Sequence, residues 1–169
     1  LVKEDLESTG GTGGYNEYKE KIAIVKQGNK FRLSNQGYIG RKQIDIKSAD
    51  DNLNIKVNYK DITSQREAYN VTFTNRTGKY ILISDGSYTD AVTLNLGTQK
   101  RNATNTPNAT FLIEPNTTKT FNFIFDKFAD DHKTPSEINF NDIAIFSTYN
   151  TNMNVEQAEK LYSLNIILN

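Results

Sequence analysis

Alternation of apolar and polar residues with a period of two is the feature that most constrains this sequence. In its cleanest stretch, Leu53, Ile55, Val57 and Tyr59 alternate with Asn54, Lys56, Asn58 and Lys60. Because successive side chains of a β-strand point to opposite faces, this pattern predicts a strand with one buried and one solvated face. We therefore expect the four apolar side chains to share the buried face.

The same alternation recurs along most of the chain. It predicts further strands near residues 22–25, 31–33, 44–47, 69–74, 80–83, 92–96, 111–113, 118–126, 138–145 and 162–168. Gln27-Gly28-Asn29 is typical of a hairpin turn, and a change of register near Asn141-Asp142 indicates a β-bulge. Roughly ten short strands of this kind predict an all-β fold, an antiparallel two-sheet sandwich.

One short helix is expected near residues 155–160, where Asn154 can cap the N-terminus and Gln157 can return the hydrogen bond. Residues 1–18 include a glycine-rich stretch and are predicted to form a flexible tail, followed by a single sandwich domain over 19–169. Because residues 25–33 resemble the closing strands of many small α+β modules, an alternative is open. In it, residues 19–47 belong to a separate small module and 48–169 form the sandwich.

Composition excludes several classes of function. The chain of 169 residues has 20 basic and 20 acidic residues, so its formal net charge is zero. Nucleic-acid-binding proteins normally carry an excess of base, and we expect no such partner. The absence of cysteine excludes a disulfide framework, a zinc–thiolate site and a cysteine nucleophile.

Composition also bears on location. A polar, β-rich chain without cysteine favours an extracellular domain of a bacterial cell-surface protein. Its richness in Asn, Lys and Ile resembles the composition of proteins from AT-rich Gram-positive bacteria. No stretch is long and apolar enough to cross a membrane. The sequence starts at Leu1 without a signal-like segment, so we expect it to be a fragment, with any signal peptide, lipid anchor or spanning helix before residue 1.

Candidates for catalytic or metal chemistry are few. His132 is the only histidine, and no nucleophile motif accompanies it, so a solvated loop is the better interpretation. Carboxylates around the same loop are weak candidate calcium ligands: Asp126, Asp130, Asp131 and Glu137. Their spacing matches no EF-hand, and an ordinary solvated turn is the alternative, as it is for Asp50-Asp51. We predict no catalytic residue, no cofactor-binding residue and no cofactor.

Other features could serve a partner. Five glycosylation sequons begin at Asn70, Asn75, Asn102, Asn108 and Asn116, although chance explains most of them in a chain this rich in Asn and Thr. Residues 97–108 form a long polar stretch without pattern, which predicts a mobile or functional loop. Tyrosines at loops or strand ends could contact a partner or shield the sandwich ends: Tyr15, Tyr18, Tyr38, Tyr88 and Tyr149.

Two segments resemble immunoglobulin-like domains of Gram-positive envelope proteins. Residues 71–82 (VTFTNRTGKYIL) are similar to their strand, Asn-x-Thr-Gly turn and following strand. Residues 112–121 (LIEPNTTKTF) are similar to their Leu-x-Pro-Gly-x-Thr segment, with Asn116 where those domains often have Gly. The resemblance covers residues 69–146, and such domains occur in lipoproteins and membrane-anchored envelope proteins. It implies an envelope location and a binding or spacer role, and it transfers no catalytic residue.

Three functions fit these observations. The first is a non-catalytic extracellular domain that binds a protein or a cell-wall glycan, or acts as a spacer. The second is a glycan-binding or glycan-active sandwich, which for cleavage needs paired carboxylates from candidates such as Glu67, Asp85 and Asp90. The third is a pilus-like assembly subunit joined by strand addition. We favour the first and expect the chain not to be an enzyme.

Overall fold

The computed structural model describes residues 24–33, 37–107, 109–127, 134–151 and 153–168. The strands in these ranges are β1 (Ile24–Gln27), β2 (Lys30–Leu33), β3 (Tyr38–Ala49), β4 (Leu53–Thr63), β5 (Arg66–Asn75), β6 (Tyr80–Ser84), β7 (Val92–Leu96), β8 (Gln99–Asn102), β9 (Phe111–Ile113), β10 (Thr118–Asp126), β11 (Glu137–Phe146) and β12 (Lys160–Ile167). A short 3₁₀ turn, Val155–Gln157, precedes the last strand. The predicted all-β fold is confirmed.

Two antiparallel sheets pack face to face, which confirms the predicted sandwich. The four-stranded sheet has the order β10-β5-β4-β3. In the other sheet, which we call the β11-centred sheet, β12 runs along one edge of β11, while β7 and then β6 pair with the other edge. β8 pairs with β7 and β9 with β6. The hairpin β1–β2 forms a separate two-stranded sheet.

The core between the sheets is built around phenylalanine. Phe73 lies edge to face with Phe140 and Phe123, with ring centroids 5.2 and 6.1 Å apart. All three side chains are fully buried, and Phe111 and Phe121 extend the cluster. Edge-to-face contact places the positive edge of one ring against the negative face of the next, which fixes ring orientation as well as burying area. The cluster therefore sets how the two sheets align.

Strand β4 departs from the expected alternation after Val57. Its register against β5 shifts between Val57 and Tyr59, so Asn58 is an extra residue. Beyond this bulge the faces are inverted: Lys60 is only 6% exposed, while Tyr59 stacks under the exposed Arg41 guanidinium. The prediction that Tyr59 is buried and Lys60 solvated was wrong, because one inserted residue moves every later side chain to the opposite face.

The bulge predicted near Asn141-Asp142 is confirmed. The register of β11 against β12 shifts between Phe140 and Ile143, and Asp142 has a left-handed φ of 52°. At this point the partner of β11 on its other edge changes from β7 to β6. Asn141 donates from its backbone to Ala91 in the connection between those two strands. The bulge therefore lets one long strand pair with two shorter ones in succession.

The helix predicted near residues 155–160 is only the 3₁₀ turn Val155–Gln157. The predicted capping pair is present: Asn154 Oδ1 accepts from the Glu156 backbone and Gln157 Oε1 accepts from the Asn154 backbone. The length was wrong, since β12 begins at Lys160 and pairs there with Ile145. So short a helix lacks the stability to compete with a ladder of strand hydrogen bonds.

Residues 97–108 were expected to form a patternless loop, and that expectation was wrong for their described part. Gly97, at φ 59°, turns the chain into β8, after which Ala103 is buried. Thr104 donates from its backbone to Ile124, and Asn105 exchanges side-chain bonds with the backbone of β10 at Asn122 and Ile124. Residues 103–105 therefore form a strap over the outer edge of β10. Local sequence does not reveal such bonds, because the partner strand is distant in the chain.

Candidate functional site

The hairpin β1–β2 presents an apolar face to solvent. Ile24 is directly opposite Leu33, and Lys26 is opposite Phe31. Directly opposed residues share a face of a β-ladder, and so do residues two apart in one strand. Ile24, Phe31 and Leu33 therefore lie together on one face, where they are 63%, 71% and 73% exposed. We call these three, together with Lys26, Lys30 and Arg32, the hairpin surface.

Charge is segregated in the same part of the chain. Residues 24–44 contain five basic residues (Lys26, Lys30, Arg32, Arg41 and Lys42) and no acidic residue. Subtracting these from the 20 basic residues of the chain leaves 15 basic against 20 acidic residues elsewhere. The neutral net charge thus conceals a basic segment within an otherwise acidic chain. A count over short windows would have revealed it, whereas the total could not.

Exposed apolar side chains continue into the first residues of β3. Of the eight large hydrophobic side chains exposed among the described residues, five lie between residues 24 and 39, including Tyr38 and Ile39. Further along β3, Arg41 forms two 2.8 Å bonds with Asp61. That guanidinium holds the pKa of Asp61 below its usual range. Arg41 is therefore paired with β4, and the exposed basic groups that remain in this segment are Lys42 and the three of the hairpin surface.

The metal-ligand candidates are not brought together in the described residues. Asp126 ends β10 in an exposed ion pair, 3.4 Å from Arg66. Asp130 and Asp131, like His132, lie outside the described residues. Across the described ranges, no group of three or more His, Cys, Asp or Glu residues is arranged to hold a metal ion. Asp50 accepts from the backbone N–H groups of Asn52 and of Leu53, the first residue of β4, which is an ordinary turn.

Glu137, the fourth carboxylate considered for that loop, is held by amide groups. Its Oε1 accepts from Asn95 and Asn139, and its Oε2 accepts from Asn165. Hydrogen bonding to Asn95, and then to Asn165 and Asn139, holds the pKa of Glu137 below its usual range. Since Asn95 is in β7 and Asn165 in β12, Glu137 ties three strands of the β11-centred sheet together.

This arrangement predicts an acid-sensitive contribution to stability. A carboxyl whose folded-state pKa is lowered stabilises the fold above its unfolded-state pKa, near 4.3, and that contribution is lost as pH falls further. We expect Glu137→Gln to show a smaller loss of stability than the unmodified chain between pH 5 and pH 2 in urea titrations. The matched control is Glu156→Gln at an exposed position, which should keep the original slope. Equal slopes for all three proteins would contradict the assignment.

The carboxylates considered for glycan cleavage each have a different structural partner. Glu67 Oε1 lies 2.7 Å from the buried Lys60 Nζ. Asp85 accepts hydrogen bonds from the backbone N–H groups of Ser87, at 2.8 Å, and of Val155, at 3.3 Å. Asp90 faces Lys100 at 4.0 Å. These contacts, among described residues, do not form the carboxylate pair that glycoside cleavage needs.

The outer face of the four-stranded sheet is a network of Asn and Thr. Asn58 Nδ2 donates to Asn70 and to Thr72 at 2.8 Å. Asn70 Nδ2 in turn donates to Asn122 Oδ1. The Thr72 and Thr120 hydroxyls are 2.9 Å apart, and Thr74 and Thr118 repeat the pair at 3.0 Å. Because these groups bond one another, a sugar would have to displace existing hydrogen bonds to be recognised here.

Two sequon asparagines have structural roles. Asn75 is 2% exposed, and its Nδ2 donates to the carbonyls of Lys79 and Glu114. Its Oδ1 accepts from the backbone and hydroxyl of Thr77, so one amide joins the turns after β5 and β9. Asn116 has a φ of 54°, a left-handed conformation that Gly adopts most readily and Asn tolerates. Asn70 lies within β5, and Asn108 lies outside the described residues.

The five tyrosines expected at loops or strand ends differ in their surroundings. Tyr149 is half-buried, with its ring centroid 6.1 Å from Tyr80 and 5.7 Å from Phe146, and it shields the outer side of the β11-centred sheet. Tyr38 and Tyr88 are exposed, at 43% and 39%. Tyr15 and Tyr18 lie outside the described residues. Shielding is thus shown for one of the five.

A shallow depression of about 510 Å³ lies where Thr77, Lys79, Glu159 and Lys160 meet. An ion pair between Lys79 and Glu159 crosses it. Hydrogen bonds from Lys79 and Ser147 lower the pKa of Glu159 to about 2. Two of its charged groups, Lys79 and Glu159, are already paired, and Lys160 Nζ lies 5.2 Å from the Tyr162 ring centroid, so the depression offers a ligand less than the hairpin surface does.

Comparison with protein-family models, with curated proteins and with solved structures found no match. Within the described residues, no helical segment has the length and apolarity that a membrane crossing requires. The class of protein is thus defined by its fold and surface alone. It is an all-β sandwich that carries a separate hairpin with an apolar face and three basic side chains.

Proposed function

We propose that this chain is a non-catalytic domain of a bacterial cell-surface protein and that it binds its partner through the hairpin surface. The observation that carries the proposal is the coincidence of exposed apolar groups with unbalanced positive charge on one ten-residue hairpin. Large apolar side chains that cluster in solvent mark interaction sites, because leaving them exposed costs free energy that a partner recovers.

The cell-surface location is supported by composition and resemblance. A cysteine-free, Asn- and Thr-rich sandwich suits an exterior bacterial domain, and residues 69–146 resemble such domains of Gram-positive envelope proteins. A sandwich core with its polar faces outward is also a rigid support for a projecting hairpin. A pure spacer, in contrast, would gain nothing from apolar groups held in solvent.

The other functions have less support. A glycan-binding role would use the outer Asn and Thr face, where the polar groups bond one another. A strand-addition role would use β3 or β12, the edge strands on one side of the sandwich, and Leu161 and Ile167 of β12 are exposed there. Among the described residues, the Asn and Thr face has no large exposed apolar side chain, and β12 carries a single charged residue, Lys160. β3 has exposed Tyr38 and Ile39 beside Arg41 and Lys42, but Arg41 is already paired with Asp61.

Binding to bacterial envelopes tests the proposal. We expect the fluorescently labelled chain to bind isolated envelopes of a Gram-positive bacterium, and Phe31→Ser/Leu33→Ser to weaken binding at least about tenfold, since each side chain contributes about 1.5–3 kcal/mol when buried. The matched control is Leu161→Ser/Ile167→Ser on β12, which should bind as the unmodified chain does. Equal binding by the hairpin variant and the unmodified chain would refute the proposal.

A further inference from the structure

We infer that the partner of the hairpin surface is an anionic lipid bilayer, on which the hairpin docks with Ile24, Phe31 and Leu33 in the interfacial layer. The inference rests on the proposed function and names the partner that the chemistry of the hairpin fits. It concerns attachment to the surface of the bilayer, since strands of four residues are far shorter than the nine or more, roughly, that cross one.

The apolar face requires an apolar medium. A two-stranded hairpin is marginally stable alone in water and gains stability when its apolar face packs on something. Phe31 and Leu33 are adjacent on that face, and Ile24 lies opposite Leu33. A soluble polyanion such as a nucleic acid offers charge, yet it offers no continuous apolar phase for three such side chains. A bilayer interface offers both.

The basic side chains of the hairpin indicate that the bilayer is anionic. Residues 24–33 carry Lys26, Lys30 and Arg32 and no acidic residue. Lys26 lies on the apolar face opposite Phe31, while Lys30 and Arg32 alternate with Phe31 and lie on the other face. Long basic side chains reach past an apolar surface to place their charge among headgroups. A second copy that docked hairpin to hairpin would instead bring three more positive charges against these three.

The expected strength follows from these groups. Each Lys or Arg held near an anionic membrane surface strengthens binding about fivefold, so three together contribute about a hundredfold. This part of the affinity should fall with added salt, because surface charge is screened within about 10 Å at 0.1 M ionic strength. Apolar insertion supplies the part that persists at high salt.

A single tryptophan tests the inference in the full chain, which contains none. We expect the emission of Phe31→Trp to shift to the blue with vesicles of equal parts phosphatidylcholine and phosphatidylglycerol, and to change little with phosphatidylcholine alone. When Lys26→Gln, Lys30→Gln and Arg32→Gln are introduced into the Phe31→Trp chain, binding to the anionic vesicles should weaken about a hundredfold. The matched control, Lys47→Gln/Lys100→Gln/Lys160→Gln, removes the same charge from exposed positions elsewhere. It should leave binding to the anionic vesicles nearly unchanged. Tyr88→Trp, away from the hairpin, should show no shift.

Four results would overturn the inference. Emission of Phe31→Trp that is already blue in dilute, lipid-free solution would mean that another part of the same chain covers the face. A shift that grows with protein concentration would identify a second copy, and an equal shift with soluble DNA would identify a polyanion. The fourth is an unchanged spectrum with anionic vesicles. If Phe31→Ser/Leu33→Ser nevertheless loses binding to envelopes, the proposed function stands while the lipid partner fails.

Discussion

Glu67→Leu is expected to lower the free energy of unfolding by about 4 kcal/mol, because it leaves a buried ammonium group without its counter-charge. Lys60 Nζ lies 2.7 Å from Glu67 Oε1, and the two side chains are only 8% and 15% exposed. Tyr69 donates its hydroxyl to the other carboxylate oxygen at 3.0 Å. Burial, together with the charge of Glu67, raises the pKa of Tyr69 and keeps that hydroxyl a donor.

The double variant Lys60→Met/Glu67→Leu distinguishes the loss of a charge partner from the loss of packing. Replacing a buried ion pair by apolar side chains of similar size is often neutral or stabilising, so the double variant should recover most of the stability lost in Glu67→Leu. Urea unfolding at neutral pH measures both changes. A double variant as unstable as Glu67→Leu would show that shape at this position, rather than charge, determines the loss.

The second large effect is expected at Asn75. Asn75→Ala should cost ~3 kcal/mol, because it removes all the side-chain hydrogen bonds of a buried amide that joins two turns. Asn75→Asp should cost more at pH 7, since it sets a carboxylate against the carbonyl oxygens of Lys79 and Glu114, now 2.7 and 3.0 Å from Nδ2. Thermal unfolding measured by circular dichroism gives both values.

The pH dependence of Asn75→Asp provides the internal check. A protonated carboxyl can donate to one of the carbonyls, so the extra cost of Asn75→Asp over Asn75→Ala should shrink as the medium is acidified. Asn70→Asp is the matched control: Asn70 also begins a sequon, but it lies on the outer sheet face and should tolerate the change far better. Similar losses at both positions would contradict the role given to Asn75.

Most strands of the two packed sheets could be predicted from the sequence because they bury one face. The spacing of Val92, Leu94 and Leu96 predicts a buried sheet face directly. Even the bulge at Asp142 is visible, as a break in the spacing of Ile138, Phe140 and Ile143. The bulge at Asn58 could not be found in this way. The apolar Tyr59 continues the alternation as if nothing were inserted, and only the pairing with β5 shows that the faces have exchanged.

Contacts between distant residues account for the rest. The side-chain roles of Lys60, Asn75 and Glu137 depend on partners in other strands or turns, and a sequence pattern carries no record of them. The hairpin β1–β2 was predicted from Gly28 and its flanking residues, but the alternation gave no sign that its apolar face would be left in solvent. Burial of a face depends on what packs against it, which is a property of the fold.

The strap of residues 103–105 has a consequence for how copies of this chain can meet. It fills the outward hydrogen-bonding positions of β10 at Asn122 and Ile124, whereas β3, at the opposite edge of the four-stranded sheet, pairs only with β4 among the described residues. A strand from another molecule can thus extend this sheet in one direction only. Two such sheets meeting at β3 occupy that edge in both copies, so the four-stranded sheet cannot add a further strand there.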